Sequence, residues 1–514
     1  MITCVVHHTP NPWGISYMKT AFFRRTTVAA ACAVAIAAST MLAGGALAAP
    51  SGPQSTPIDF PAIDGQVMSY VVNAKAANRG QTKQAVRAVE AAGGVVVQEW
   101  PEIGVVIGQS DRASFRADVL KAGKSSVESV GATRTIAVAE GTPEGIATPW
   151  QKAPQLRSKQ LAKADLQYGD ATFDGVVLDP RETEQWDKTL IKADQAHRIT
   201  DGSRKVLVGV LDSGIDPNHP DLQANIDVAN SVNCTNAGRP DTSPTGWNPT
   251  TSSHGTHVAG IIGAARNGVG IVGVAPTVRM ASVKVVNDAG SIYPEYAICG
   301  FMWAGLKGMD VTNNSYFIDP VEFWCDDQPD QLAVRVAVER AVNFSTSQGV
   351  VHAAAAGNAS YDLSNKTTDS DSPNDGTTIP RVINNKCKDI PTELNGVVTV
   401  SSIDQAGKLS SFSNRGLNSI DVAAPGSRIL STLPNNKYGL LSGTSMASPQ
   451  VAGVLALMKS QHPSWTPQKL ITELRKQAED RTCVSSTTGA ACVGDPGNNS
   501  YYGEGIVDAL KAVL

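Results

Sequence analysis

Three side chains in this sequence could together make an alcohol nucleophilic: Asp212, His254 and Ser445. A serine hydroxyl is a weak nucleophile until a neighbouring imidazole takes its proton. The imidazole in turn needs a carboxylate to fix its tautomer and stabilise its cation. Asp212-Ser213-Gly214 follows the apolar run Val206 to Leu211, so the carboxylate stands at a strand tip. His254-Gly255-Thr256-His257-Val258-Ala259-Gly260 opens a stretch of small and apolar residues that reads as a buried helix. Gly443-Thr444-Ser445-Met446-Ala447-Ser448-Pro449 opens another, running through Leu457, and its small residues leave room for a substrate backbone. One strand end and two helix starts can bring the three groups together for acyl transfer.

Other residues of the same types have plainer readings. Asp216 and Asp221 also follow the strand, but only Asp212 sits at its tip. His257, one turn into the helix of His254, reads as a packing or hydrogen-bonded residue. His352 in an Ala-rich strand reads as a satisfied core histidine, and His197 and His219 belong to no motif. A helix-opening Gly-Thr-Ser is often only a cap; Ser445 gains its weight from its partners.

The elements that must position these groups are legible as apolar runs alternating with helical segments. Lys205 to Leu211, Met280 to Val286, Asp310 to Asn314, Val350 to Ala356 and Gly396 to Ser401 are nearly continuously apolar. Such runs fit parallel strands covered on both faces, hence an α/β domain over 186–514 with reactive groups at the carboxyl ends of its mainly parallel sheet. Ahead of it, Val67 to Val72, Gly94 to Gln98, Gly104 to Gly108 and Ile136 to Val138 read as strands, and Gln81 to Ala92 and Arg112 to Ala122 as helices. Two helices among four strands predict a small α+β, ferredoxin-like unit within 49–140. Residues 141–185 are polar without sustained periodicity, and read as a connector containing a processing site.

The chain has 514 residues, 42% of them hydrophobic and 18% charged, with a formal net charge of −4. That balance favours neither nucleic acid nor an acidic membrane as partner. Lys19, Arg24 and Arg25 precede an Ala-rich apolar stretch that ends in Ala46-Leu47-Ala48. This is the pattern of a secretion signal over 1–48, cut near Ala48. The rival is a permanent anchor, against which Gly44-Gly45 and the small residues before the cut argue. Met18 would be a conventional start for such a signal. Cys4 and Cys32 would leave with the leader, and six cysteines would remain in an oxidising compartment as disulfides. Many connectivities are open; only Cys483–Cys492 is favoured, by the short polar loop between them. A metal site is the rival reading, and no C-x-x-C or Cys/His cluster supports it.

With D-S-G, H-G-T-H-V-A-G and G-T-S-M-A-S-P in this order, the chain resembles the subtilisin-like serine proteases, from about Ile191 to its end. The resemblance implies a three-layer subtilisin-like fold and a secreted endopeptidase acting on polypeptides as a monomer, without stable membrane association and with no cofactor needed for chemistry. It implies that Asp212 orients, His254 acts as base and then acid, and Ser445 attacks. Asn358 matches the family's oxyanion-hole asparagine, with Gly357 beside it. Gly290-Ser291-Ile292 and Ser315-Tyr316-Phe317 match the two segments between which an extended peptide pairs. Ile292 and Phe317 stand where the family usually has glycine, so the pockets should be reshaped. Asp221 and Asn267 match side chains that hold a structural calcium. The unit at 67–138 resembles the family's inhibitory propeptide. Two rivals remain at this level: a catalytically dead binding protein, which would lack a triad member, and an esterase, whose serine usually sits in G-x-S-x-G.

Overall fold

The computed structural model of the chain describes residues 54–138, 172–173, 176–484 and 491–514. The expected leader at 1–48, and most of the 141–185 connector with its processing site, lie outside these residues. An eight-stranded sheet forms the centre of the larger part. Its spatial order is Val422–Pro425, Val397–Ile403, Val351–Ala355, Val311–Asn314, Leu207–Asp212, Arg279–Lys284, Val232–Asn236 and Arg239–Asp241. All neighbouring pairs are parallel except the last, which is antiparallel at the edge. The five anticipated strands are present with ends moved by at most two residues. Val422–Pro425, Val232–Asn236 and Arg239–Asp241 were not anticipated; each is too short to show a pattern of its own.

Side-chain alternation divides each strand between two layers. Val208 and Val210 pack with Val258, Ile261, Ile262, Met446 and Val451, which come from the helices His254–Gly263 and Thr444–Gln461. Leu207 and Leu211 face the other way, against Phe301, Ala304, Val334 and Val338 of the helices Pro294–Leu306 and Pro329–Ser347. Both of those helices begin with proline, whose missing N–H costs nothing in a first turn. The result is a three-layer α/β domain with the helices of His254 and Ser445 on one face.

Residues 68–132 form a second sheet in the order Val95–Trp100, Val105–Ser110, Met68–Ala74, Val127–Ala132, antiparallel throughout. With the helices Arg79–Ala91 and Phe115–Ala122 this is the predicted ferredoxin-like order. The first helix starts two residues earlier than expected because Asn78 caps it, its side chain accepting from Gln81 N–H at 2.9 Å. The last strand differs: it is Val127–Ala132, and not Ile136 to Val138. Val127 and Val130 complete this unit's own core, whereas Ile136 is exposed. Beyond the strand, Val138 N–H returns to Val67 C=O at 2.7 Å.

This second sheet is covered on both sides. Tyr70, Val72 and Ala74 join its own helices, while Val71, Val105, Ile107, Trp100 and Ile103 join the core of the larger domain. At the N-terminus of the Pro329–Ser347 helix, Asp330 accepts from Ala132 N–H at 3.1 Å and pairs with Arg116 at 3.0 Å. Asn73 Nδ2 donates to Ala333 C=O at 2.8 Å. Upstream, the Ser55 N–H and hydroxyl both donate to Asp327. The six cysteines pair as Cys234–Cys299, Cys325–Cys387 and Cys483–Cys492. The last is the pairing the sequence favoured.

The seat of the small sheet has no spare room at Gly131, where a Cβ would lie 2.4 Å from Asp330 C=O and 2.9 Å from Ala333 Cβ. Gly131→Val should therefore weaken docking by about 1–3 kcal/mol, the usual cost of overpacking. Limited proteolysis of the full chain should then cut residues 68–132 earlier than in the parent; equal resistance would contradict this packing.

Candidate active site

Asp212 ends the Leu207–Asp212 strand and is 1% exposed. His254 Nδ1 lies 2.9 Å from both of its carboxylate oxygens. Ser213 N–H also donates to Asp212 Oδ1, at 2.7 Å. The carboxylate is thus buried with two donors, the condition under which a buried charge is tolerated. Gly255 makes the approach feasible: a Cβ there would lie 2.4 Å from Gly214 C=O and 3.1 Å from Asp212 Oδ1.

Ser445 is the second residue of the Thr444–Gln461 helix, whose first-turn N–H groups have no partner within the helix. Four residues on, Pro449 lacks the N–H that would have bonded the Ser445 carbonyl. That carbonyl accepts instead from the Ser315 hydroxyl at 2.9 Å. The Ser445 hydroxyl itself donates to Ser315 C=O at 3.3 Å, long for an O–H···O bond, so the interaction holds it weakly.

Asn358 follows the Val351–Ala355 strand and meets the same helix. Its Oδ1 accepts from both the N–H and the hydroxyl of Thr444, at 2.8 and 2.9 Å. Gly357 N–H donates to the Thr444 hydroxyl at 3.1 Å. With its oxygen occupied in this way, the Asn358 amide keeps Nδ2 as a donor that Thr444 does not use. Gly357 has φ +101°, and a Cβ would lie 2.2 Å from Asn414 Nδ2, which explains glycine there. Thr444 and Pro449 were missed as positioning residues by sequence reasoning, although both lie inside the motif that singled out Ser445.

The two groove segments are not strands among the described residues. Residues 287–291 close a turn in which Asn287 N–H donates to Ser291 C=O, while Gly290 N–H and Ser291 N–H donate to Asn287. Both backbone groups of Ile292 bond Asp319: its N–H donates to the carboxylate, and its C=O accepts from Asp319 N–H at 2.9 Å. The Ile292 side chain is buried in the core, and Tyr316 packs there too with its hydroxyl on Asn314 Oδ1 at 3.0 Å. Of the bulky residues expected to reshape the pockets, only Phe317 is half-exposed.

Asp221 and Asn267 come to the same loop, where a structural calcium, which takes six to eight oxygens, would draw on side chains such as these. Asp221 is fully buried, accepts from Ile271 N–H at 3.0 Å and hydrogen-bonds Tyr438 and Asn267; burial pushes its carboxyl up to about 6. Asn267 Oδ1 is occupied by Val269 N–H at 3.1 Å. Asp179, not anticipated, spends its oxygens on Asn267 N–H and Gly268 N–H at 3.2 and 2.7 Å. Asp221 Oδ1 is buried and meets no hydrogen-bond donor among the described residues, an acceptor that a cation would satisfy; no step below is routed through a metal.

The remaining histidines take their plain readings. His257 Nε2 lies 3.1 Å from both Ile429 C=O and Gly439 C=O, and His352 Nδ1 lies 2.7 Å from the Thr312 hydroxyl. Burial lowers each to about 3, so both stay neutral near pH 7. His197 Nε2 faces Val274 C=O at 2.9 Å, and His219 Nε2 faces Lys437 C=O at 3.1 Å.

A buried carboxylate–imidazole pair at a strand end, beside a helix that opens with serine, is the frame of a serine hydrolase. The sequence model of the Subtilase family matches residues 203–505, and the chain belongs to that family; it is a serine-type endopeptidase. It is 34% identical to subtilisin E of Bacillus subtilis over 324 residues, covering 63% of this chain and 69% of that protein. It is 33% identical to M-protease of Shouchella clausii over 339 residues, 66% of this chain and 72% of that protein. Among solved structures, the fold is shared with an epidermin leader peptide processing serine protease from Staphylococcus aureus. That match has TM-score 0.62 and 22% identity, and covers 87% of this chain and 98% of that one. Fervidolysin of Fervidobacterium pennivorans shares it too, with TM-score 0.59 and 23% identity over 88% of this chain and 61% of that one.

Two outcomes follow. The folded-state pKa values of His257 and His352 lie below the unfolded value near 6.5, so on acidification the unfolded chain takes up their protons first. Stability is therefore full above about pH 6.5 and falls toward pH 3 by about 1.4 kcal/mol per pH unit for each histidine. Denaturant titrations of His352→Gln should show a pH slope shallower by that amount; an unchanged slope would contradict a buried neutral imidazole. Separately, calcium held by Asp221 and Asn267 would stabilise the fold, so chelation with EGTA should lower the melting temperature by more than about 2 °C from its value in calcium. An unchanged melting temperature would contradict an ion at this loop.

Proposed function

We propose that this chain is an exported precursor of a serine endopeptidase that processes itself. In this reading residues 1–48 direct secretion, 49–140 act as an intramolecular inhibitor, 141–185 are cut, and 186–514 are the catalytic domain. The observation that carries the reading is His254 Nδ1 held at 2.9 Å by both oxygens of the buried Asp212, which leaves Nε2 as the ring's base. Ser445 Oγ attacks the peptide carbonyl as its proton passes to His254 Nε2. Asp212 stabilises the imidazolium without taking the proton itself. The developing oxyanion accepts from Asn358 Nδ2 and from Ser445 N–H. Collapse breaks the C–N bond, and His254 returns the proton to the leaving amine. Water then repeats the sequence on the acyl-enzyme and restores Ser445.

Several features support the rest of the proposal. The 68–132 unit docks on the Pro329–Ser347 helix, as an inhibitor joined to its enzyme would. Among the described residues no helix is long and apolar enough to cross a membrane. Three disulfides suit an oxidising compartment.

A fluorophosphonate probe should label Ser445 in processed material, and Ser445→Ala should abolish labelling and leave the connector uncut. Asn358→Ala should keep labelling measurable but lower kcat by about 10²–10³, a figure that comes from subtilisin itself. Labelling that persists in Ser445→Ala would sink the assignment.

A further inference from the structure

Thr133 to Thr135 leave the last strand of the small sheet and cross residues beside the expected groove. Here Arg134 inserts its side chain into the larger domain. Its guanidinium pairs with Glu295, and the two side chains are 7% and 0% exposed. The guanidinium carbon lies 3.9 Å from the ring centre of Tyr293 and 5.9 Å from that of Tyr296. Burial by itself would lower the pKa of Arg134; Glu295 and the two tyrosines outweigh it and raise it. The next residue is held as well, with Thr135 N–H donating to Asp375 at 2.9 Å and its hydroxyl donating to the same carboxylate.

The receiving surface belongs to the groove. Tyr293 directly follows Ile292, Glu295 lies in the first turn of the Pro294–Leu306 helix, and Asp319 clasps Ile292 two residues beyond Phe317. Asn374, the neighbour of Asp375, donates its amide to Asp319. Both walls therefore converge on one acidic, aromatic recess. Glu295 Oε2 meets no hydrogen-bond donor among the described residues, so the carboxylate retains capacity for a second guanidinium N–H. A planar cation that can fork onto a carboxylate and stack on an aromatic ring is arginine, not lysine.

We propose that this recess is a selectivity subsite for an arginine side chain upstream of the bond to be cut, filled in the precursor by Arg134. The inference rests on the peptidase reading above and on departure of residues 49–140. Departure removes Arg134 and leaves Glu295 in a site shaped for a guanidinium. A substrate arginine restores the pair, whereas a neutral side chain leaves a desolvated carboxylate unmatched.

The test uses processed enzyme and matched peptides in which arginine or its neutral isostere citrulline is moved through the upstream positions. At one position arginine should exceed citrulline by about 10- to 100-fold in kcat/KM, the range of a hydrogen bond to a charged group. Glu295→Gln should bring that ratio near one, chiefly by lowering kcat/KM for the arginine peptide. A ratio near one at every position in the parent enzyme, or an arginine preference that survives Glu295→Gln, would overturn the proposal. A second measurement needs no hydrolysis: in the full-length Ser445→Ala chain carrying Arg134→Ala, ethylguanidinium should raise the melting temperature more than ethylammonium does. That difference should vanish on adding Glu295→Gln; no difference before the addition would overturn the subsite. Failure to cleave any peptide would count against the peptidase reading alone, and the second measurement would still decide the pocket.

Discussion

The structure turns on one buried charge. Asp212 lies at the tip of a central strand, where its carboxylate would be costly without partners. Its partners come from two directions: Ser213 N–H from its own chain, and His254 from a helix that must come very close. That closeness sets the sequence around it. Gly255 has no room for a side chain, and its N–H is taken by the Ser213 hydroxyl at 3.0 Å. One residue on, the Thr256 carbonyl accepts from the Thr432 hydroxyl, and Gly260 lies against Thr432 and Ser431. A helix built from small residues is the consequence of bringing an imidazole to a buried carboxylate.

The serine side of the site is governed by a complementary device, a helix whose first turn leaves some backbone groups free and has others claimed by side chains. Thr444 binds Asn358 and Gly357 at once, which ties the loop after the Val351–Ala355 strand to the helix start. Pro449 releases the Ser445 carbonyl to Ser315, which ties the end of the Val311–Asn314 strand to the same turn. Two strand ends are thus fixed to one helical turn by ordinary hydrogen bonds. Ser445 itself is left with a long bond that a reacting carbonyl can easily replace.

How much of this was legible depended on the length and locality of each signal. Runs such as Val206 to Leu211 are apolar on both faces, so the buried sheet, and the Asp at its tip, could be read directly. Val422–Pro425 spans four residues, too few for any pattern to stand out. Ile136-Ala137-Val138 is more apolar than Val127-Glu128-Ser129-Val130, yet the latter is the strand, because pairing with Met68–Ala74 and filling a specific core outweigh local composition. The groove segments matched by motif but not by conformation. Asn287 and Asp319 take their backbone groups, and both are contacts that spacing cannot show. Likewise, Asp221 and Asn267 were matched as calcium ligands, but that Tyr438, more than two hundred residues beyond Asp221, also reaches its carboxylate is a contact spacing cannot show.

The same reasoning bears on how the small sheet is held. Its first strand, Met68–Ala74, is buried at every position, although a sheet backed by helices on one side should have one wet face. The second face is dry because it rests on the larger domain through Val71, Val105 and Ile107, and apolar contact of this kind has no directional preference. Direction comes from the polar contacts at the rim: Asp330 with Ala132 and Arg116, Asn73 with Ala333, Arg340 with the Ala74 carbonyl, Ser55 with Asp327. Asp330 meets a backbone N–H and a guanidinium at once, and both partners lie on the small unit. A seat built this way is strong while the two parts share one chain, because their effective concentration is set by a covalent connector. Without a covalent connector, the apolar face and the paired charges would have to hold alone. A unit whose sheet is buried on both faces only when docked has a stability that depends on staying bound.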